Sequence, residues 1–240
     1  MLLFPNASSL YTQHISESNG RGLSPALWRH MTTGAASPDG TGGHIWFGDD
    51  FTNHGKIAAA GDDVSGGYGA YIDTGNTINA VNSESGGVIA FLTDTTDNDE
   101  CWLTTGGNTG VLGKISDTAG DDKLTIFEAR VRFTQVGETY NAFVGLAEQG
   151  LAAGDTISDG GAIADKDYIG FHVKESDGNS LLFAYNKQGG TDQTVVTTAI
   201  SAATWYKLGF VYDPMQPAAK RITAYIDNVE QSTYITAANI

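Results

Sequence analysis

The chain is poor in cysteine and in positive charge, and each shortage excludes a class of protein. One cysteine in 240 residues cannot form an intrachain disulfide, so the hydrophobic core must hold the fold. Cys101 lies in the alternating run ECWLTT, where we expect an inert, half-buried thiol instead of a nucleophile. Lys and Arg number 13 against 28 Asp and Glu, which gives a net charge of −15. Because proteins bind nucleic acid mainly by placing Lys and Arg against phosphates, nucleic acid is not an expected partner.

Segments that would direct the chain to a membrane are also missing from the sequence. The apolar start MLLFPNASS has no basic residues before it and stops at Pro5, so we expect no signal peptide. No apolar run approaches the length of about 20 residues that a membrane helix needs. We therefore expect synthesis in a cytoplasm and no membrane partner.

Sustained helical periodicity is absent, and alternation of apolar and polar residues takes its place. Glycine accounts for 31 of 240 residues, and turn sequences such as SESGG, SDGG and KQGG separate the alternating runs. These runs predict about ten strands. They are IWFGDDF, GYGAYIDT, GGVIAFLT, ECWLTT, LTIFEARVRF, AFVGLAEQ, YIGFHVKE, LLFAYNKQ, TVVTTAI and a final hairpin. Their spacing is typical of an all-β protein, an antiparallel sandwich or jelly roll.

The final hairpin is the most informative stretch of the sequence. Residues 205–213 and 220–228 are two alternating runs joined by a short turn that contains two prolines. The large apolar residues of the first run, from Tyr206 to Tyr212, share one face. At the end of the second run, Tyr225, Asp227 and Asn228 resemble the Tyr-x-Asp-Gly turn of concanavalin A/laminin G-like jelly rolls. Asn in place of Gly is a mild change, because Asn tolerates the left-handed conformation. We expect four side chains of the alternating runs in the core: Phe133, Phe171, Leu208 and Phe210.

Composition divides the chain near residue 45. Residues 1–45 have scattered apolar side chains and no net charge, whereas residues 46–240 hold 11 basic and 26 acidic residues. We interpret residues 1–45 as an extended N-terminal arm and residues 46–240 as one sandwich domain. The apolar residues of the arm need a surface to lie on, either its own sandwich or a neighbouring subunit. The candidate assembly residues of the arm are Phe4, Tyr11, Leu27 and Trp28. A partly disordered leader is the alternative interpretation.

Several of these runs together resemble the concanavalin A/laminin G-like superfamily. The resemblance covers roughly residues 46–235 and is carried by GDDF, TTDNDECWLTT, FEARVRF followed by AFVGLAE, YIGFHV followed by DGN and LLFAYN, and WYKLGFVYD with ITAYIDN. In particular, the chain resembles the jelly-roll domains of structural proteins in tailed bacteriophages. The resemblance implies a concanavalin A-like jelly roll, and none of its motifs is catalytic. The resemblance also implies another strand after ITAANI, so we expect either that this sequence lacks a final strand or that the arm or a neighbouring subunit closes the sandwich.

No constellation of residues predicts catalysis. Glycosidases of this fold need paired carboxylates on one strand, in a pattern such as Glu-x-Asp-x-x-Glu, and no such string is present. The sequence also has no Ser-His-Asp order, P-loop or dinucleotide fingerprint. We therefore expect a protein that is not an enzyme and that has no cofactor.

Two acidic loops are candidates for a structural Ca²⁺ ion. Asp94, Asp97 and Asp99 lie in DTTDNDE, and Asp155 and Asp159 lie in GDTISDGG. Ca²⁺ prefers several carboxylate and carbonyl oxygens on a flexible loop. The first loop lacks the EF-hand pattern, and polar turns without a metal are the alternative for both.

The five histidines are widely separated and show no pair at the spacing of metal ligands. His172 alternates with Ile169, Phe171 and Val173, so it is expected on the opposite face of its strand. We interpret it as a hydrogen-bonded histidine on the face of a sheet, and a sugar-binding concave face is the alternative.

Two functions from different classes are consistent with these features. The first is a bacteriophage virion structural protein, a head decoration (cement) or other capsid-associated protein that stabilises the shell through arm and sandwich contacts. It would be made in the host bacterial cytoplasm and located in the virion. Its partners would be the major capsid protein and sister subunits, in a homo-oligomer such as a trimer. The alternative is a carbohydrate-binding or receptor-binding domain of a phage tail fibre, with a glycan as its partner.

Overall fold

A computed structural model describes residues 24–28, 63–64, 68–81, 83–84, 87–95, 99–105, 124–137, 140–148, 150–151, 154 and 156–235. Within these ranges the chain forms thirteen strands, one four-residue helix and two short 3-10 turns. The helix α1 spans Pro25–Trp28, and the 3-10 turns span Glu175–Asp177 and Ala218–Lys220. The prediction of an all-β protein is confirmed.

The strands are numbered along the chain. They are β1 Asp63–Val64, β2 Tyr68–Ile72, β3 Thr77–Ala80, β4 Ile89–Leu92, β5 Cys101–Thr105, β6 Thr125–Arg132, β7 Ala142–Ala147, β8 Tyr168–Val173, β9 Ser180–Asn186, β10 Gln193–Ala199, β11 Trp205–Tyr212, β12 Ile222–Ile226 and β13 Val229–Ile235. The predicted run IWFGDDF lies outside the described residues.

The chain forms two compact units. The larger unit contains residues 1–44, 113–146 and 167–240, and the smaller unit contains residues 45–112 and 147–166. The predicted division into residues 1–45 and 46–240 follows composition along the sequence. Proximity in space groups the residues differently because strand pairing joins segments that are far apart in the chain.

The larger unit is a sandwich of two four-stranded antiparallel sheets. One sheet has the order β10-β9-β8-β7 and the other has the order β13-β12-β11-β6. Their inner faces contribute to one hydrophobic core, in which Phe183 of the first sheet stacks 5.8 Å from Phe210 of the second. Burial of this apolar surface is the main force that holds the two sheets together.

The predicted faces of strand β11 are confirmed. Tyr206, Leu208, Phe210 and Tyr212 point into the core, and Val211 lies on the opposite face. Among the predicted core residues, Phe171, Leu208 and Phe210 are fully buried. Phe133 is only partly buried, since it follows the end of strand β6 and stacks on Tyr140 at the core's edge.

The predicted turn at Asn228 is also confirmed. Asp227 and Asn228 have φ angles of 49° and 68°, so both adopt the left-handed conformation. Two such residues in succession match the twist of antiparallel strands and favour a two-residue hairpin. The hairpin leads into β13, which pairs with β12. Strand β13 was not predicted, because VEQSTYI is mostly polar.

The smaller unit contains a three-stranded sheet, β1-β2-β5, and a two-stranded sheet, β3-β4. Its described core consists of Tyr68, Ile72 and Ile78, with Ala70, Ile89, Cys101 and Leu103 packed around them. Strand β3 was not predicted, because only Ile78 of its four residues is buried and no alternation is visible in so short a run.

Candidate interaction surface

Part of the outer face of sheet β13-β12-β11-β6 is apolar, although polar side chains are usual on a surface that faces solvent. Val211 and Tyr225 are buried on this face, and α1 covers them. Leu27 of α1 is 0% exposed and packs directly against both residues. Residues 24–28 therefore form a clamp on the outer surface of the sandwich, and we use that name for them below.

Gly209 makes room for the clamp. A Cβ atom at this position would lie 2.5 Å from Cδ2 of Leu27 and 2.9 Å from the carbonyl oxygen of Phe127. Both distances are too short for real carbon contacts, so a larger residue would displace the leucine. The glycine in the middle of β11 weakens the strand slightly, but it lets Leu27 approach the backbone closely.

Glu128 of strand β6 holds the polar side of the clamp. The backbone N–H of Ser24 donates to Oε1 and Oε2 of Glu128 at 3.2 and 3.1 Å, and the Ser24 hydroxyl donates to Oε1 at 3.0 Å. The indole N–H of Trp28 donates to Oε2 of the same carboxylate. Hydrogen bonds to an ionised acceptor are among the stronger ones in proteins, so Glu128 fixes both ends of the clamp.

The start of α1 has a second anchor on the β12–β13 turn. The N–H of Ala26 donates to Oδ1 of Asn228, and this satisfies one of the free N–H groups at the start of a helix. Asn228 thus has two roles, because it also adopts the left-handed conformation of the turn. The clamp joins segments that are 100 to 202 residues apart in the sequence.

The structure places two of the four predicted arm residues. Leu27 and Trp28 contact the sandwich of their own chain, which is one of the two surfaces expected for the arm. Leu27 has no exposed area for a contact with another subunit. Phe4 and Tyr11 lie outside the described residues.

The sandwich residues that contact the clamp were not predicted as functional residues. They are Glu128, Gly209 and Asn228. Glu128 alternates normally with its neighbours, and a glycine in a strand has many causes. The only signal in the sequence was the glycine itself, which interrupts an otherwise bulky strand.

The acidic loop proposed for Ca²⁺ is described in part. Asp94 and Asp99 approach each other, and the hydrogen bond between the two carboxyl groups raises the pKa of Asp99 to about 6, with further contributions from burial and from the charge of Asp73. Asp97 and Asp155 lie outside the described residues, and Asp159 is exposed in a turn. In the described part of the chain, no group of three or more His, Cys, Asp or Glu side chains is arranged to hold a metal ion. A structural Ca²⁺ ion at either loop stays a prediction.

Next to this loop, aromatic and carboxylate side chains are paired on the smaller unit. Tyr71 and Trp102 lie directly opposite each other on β2 and β5. The Tyr71 hydroxyl donates to Asp73 at 2.8 Å, and the Trp102 indole donates to Glu100 at 3.2 Å. Glu100 also accepts hydrogen bonds from the N–H of Ile157 at 2.8 Å and the hydroxyl of Thr156 at 3.3 Å. Its carboxylate therefore ties residues 156–157 to the sheet.

The thiol of Cys101 has the inert character that the sequence indicated. Burial raises its pKa to about 11, with a smaller contribution from the charge of Asp73. A thiol is nucleophilic only when it is deprotonated, so at neutral pH Cys101 is poorly suited to attack a substrate.

His172 lies on the outer face of sheet β10-β9-β8-β7, opposite Leu182 of β9. It is 1% exposed, and no described residue forms a hydrogen bond with its Nε2 atom. Burial lowers its pKa to about 3, and the positive charge of Lys174 adds to the effect. Its predicted face is confirmed. The expected full set of hydrogen bonds is not found among the described residues, where its partner across strands β8 and β9 is the apolar Leu182.

Comparison with protein-family models, with curated proteins and with solved structures gives no match for this chain. In the described ranges, no helix has the length and apolar character that crossing a membrane requires.

Proposed function

We propose that this chain is a structural protein of a bacteriophage virion, a head decoration or other capsid-associated subunit without catalytic activity. Its sandwich would be a concanavalin A-like jelly roll, as the sequence resemblance implies. The observation that carries the proposal is the clamp. It fastens residues 24–28 to the outer face of sheet β13-β12-β11-β6 and so fixes the position of Ser24.

A fixed point of attachment on the sandwich would help an arm to bind a neighbouring subunit. Because the clamp fixes Ser24 on the sheet, residues 1–23 would lose less conformational freedom when they bind a neighbouring subunit. Leu27 and Trp28 serve their own chain in this arrangement. The contact with the capsid or a sister subunit would then be made by residues 1–23, which include Phe4 and Tyr11.

The proposal is tested by truncating the arm before the clamp. Deleting residues 1–23 should leave a folded chain that has lost its association with sister subunits and with empty heads of the virus that encodes it. Association is measured by sedimentation velocity and by co-sedimentation with heads. The double variant Phe4→Ser/Tyr11→Ser should show the same loss at full length.

The matched control is Glu128→Gln, which weakens the clamp and leaves residues 1–23 intact. We expect it to lower stability and to reduce association only partly. If the truncated chain associates with unchanged affinity, residues 1–23 are a leader and the proposal fails.

The alternative function is glycan binding by a phage tail fibre domain, and one observation favours it. Tyr71 and Trp102 are partly exposed neighbours with the partly exposed carboxylate of Asp73 beside Tyr71, a combination that suits stacking on a sugar ring and hydrogen bonding to its hydroxyls. Binding to a glycan array that is lost in Trp102→Ala, with no binding to heads, would support this alternative.

A further inference from the structure

Three cationic side chains and one indole lie on the outer face of sheet β13-β12-β11-β6, the face that also carries the clamp. The cations are Arg130, Arg132 and Lys207, and with Trp205 we call them the basic patch. Arg132 lies opposite Trp205 in the register of β6 and β11, and Arg130 lies opposite Lys207. The guanidinium carbons of Arg130 and Arg132 are 4.0 and 4.7 Å from the centre of the Trp205 ring. Each of the four residues is partly exposed.

This arrangement costs the sheet stability. Like charges directly opposite each other on neighbouring strands are destabilising, and Arg130 and Lys207 are such a pair. Burial lowers the pKa of Lys207 and Arg130 lowers it further, while Glu128 and Asp227 act in the opposite direction. Contact with Trp205 offsets part of the repulsion, because a cation over an indole ring is attracted to it. A surface that gathers like charges around an aromatic ring is typical of a binding site, since Trp and Arg are enriched where binding energy is concentrated.

Charge is very unevenly divided between the two compact units. The smaller unit has 14 acidic and 2 basic residues, a net charge of −12. The larger unit has 14 acidic and 11 basic residues, a net charge of −3. The strongest source of negative charge in the protein is therefore the smaller unit, and a concentrated group of positive charges lies on the larger unit.

We propose that the basic patch of one subunit binds the acidic smaller unit of a second copy of this chain. The contact is heterologous, because two different surfaces meet. Repetition of such a contact closes a ring or extends a filament, according to the angle between successive copies. The inference deepens the self-association in the proposed function, but it rests on residues that lie outside the arm.

The test compares three charge variants by sedimentation velocity across a range of protein concentrations. Arg130→Gln/Arg132→Gln should weaken self-association at least about tenfold, because complementary charges guide and hold such contacts. Lys187→Gln/Lys220→Gln removes the same charge at two exposed residues outside the patch and should leave association nearly unchanged. Arg130→Lys/Arg132→Lys keeps the charge and should retain most of the salt-dependent association. Circular dichroism checks that all variants are folded.

Salt provides a second, independent measurement on the unmodified chain. Raising NaCl from about 50 to about 500 mM shortens the screening length from about 14 to about 4 Å, so the dissociation constant should rise about tenfold or more. A chain that is monomeric at low salt, or whose association ignores both salt and the Gln variants, overturns the inference. Loss of association on deleting residues 1–23 with no effect of the patch variants supports the arm alone. If the patch variants lose association and the deletion of residues 1–23 does not, the basic patch is the contact and the proposed role of the arm is wrong.

Discussion

Two polar side chains of the larger unit, Glu128 and His172, differ in how fully their hydrogen bonds are formed. Glu128 receives hydrogen bonds from Ser24 and Trp28, so its partial burial is compensated. His172 is buried opposite Leu182, and in the part of the chain that the structure describes its Nε2 atom has no hydrogen-bond partner. An unsatisfied buried polar atom costs about 1 to 3 kcal/mol, and such a group makes stability depend on pH when it can also titrate.

Stability should fall when the pH drops below the normal pKa of histidine, because of His172. The folded chain keeps the imidazole neutral, with a pKa of about 3 against the ordinary value of 6.5. Below pH 6.5 the unfolded chain binds a proton at this histidine that the folded chain does not bind. The free energy of unfolding therefore keeps its full value above pH 6.5 and falls as the pH drops towards 3. The loss approaches about 1.4 kcal/mol per pH unit for one proton.

The measurement is urea unfolding of the wild type and of His172→Leu at pH 7.5 and pH 5.0. Between these two pH values the wild type should lose about 2 kcal/mol more than the variant. Carboxylates such as Asp99 titrate in the same range in both proteins, so the difference isolates the histidine. Equal pH dependence in the two proteins would mean that the charged imidazole of His172 finds a hydrogen-bond acceptor or solvent in the folded chain, so that its pKa is not lowered.

At the scale of secondary structure, the fit of α1 on the sheet depends on matched sizes. Leu27 fills the space above Gly209, and the contact joins residues that are distant in the sequence. A helix of four residues has no stability of its own, since isolated helices need about 12 residues or more. The clamp therefore exists because the sheet surface holds it.

Gly209→Ala should destabilise the chain by about 1 to 3 kcal/mol, because the added methyl group overlaps Leu27 and the Phe127 carbonyl. Leu27→Ala alone should cost about 2 to 5 kcal/mol through the lost burial. In the Leu27→Ala background, Gly209→Ala should cost at least about 1 kcal/mol less than in the wild type, since the two residues are in contact. Urea unfolding of all four proteins measures this coupling.

Gly160→Ala is the matched control, because a Cβ atom at Gly160 meets open space. It should change stability by no more than about 0.5 kcal/mol. Strictly additive effects of Gly209→Ala and Leu27→Ala would show that the clamp is not seated on this glycine in solution.

The strands that were predicted correctly are those in which apolar and polar residues alternate. The run from Trp205 to Tyr212 gave its strand, its faces and its buried residues correctly, because one side of it packs entirely in the core. The short or polar strands β3 and β13 were missed, since their pairing comes from neighbours and not from their own pattern. The clamp was recognised only as Leu27 and Trp28. The sandwich residues that hold the clamp, Glu128, Gly209 and Asn228, could not be predicted, because their contacts join positions that are far apart in the sequence.

At the scale of the whole molecule, the described side chains form separate hydrophobic clusters in the two units. One cluster lies between the sheets of the larger unit, and another is formed by Tyr68, Ile72 and Ile78 of the smaller unit. The units also differ in charge, at −3 and −12. A chain with this division can keep a well-packed sandwich for stability and a strongly acidic surface for contacts, so changes to charge and changes to the core should have separable effects.

The core of the larger unit depends on Phe210 more than on any exposed aromatic residue. Phe210 is fully buried, and its ring lies 5.3 Å from Phe127 in its own sheet and 5.8 Å from Phe183 in the opposite sheet. Phe210→Ala should therefore lower the free energy of unfolding by about 3 to 5 kcal/mol, through lost burial and the cavity left behind. Phe91→Ala, at a side chain that is 48% exposed, should cost less than about 1 kcal/mol. Urea unfolding followed by circular dichroism measures both, and a loss below about 1 kcal/mol for Phe210→Ala would mean that the two sheets do not pack through this residue.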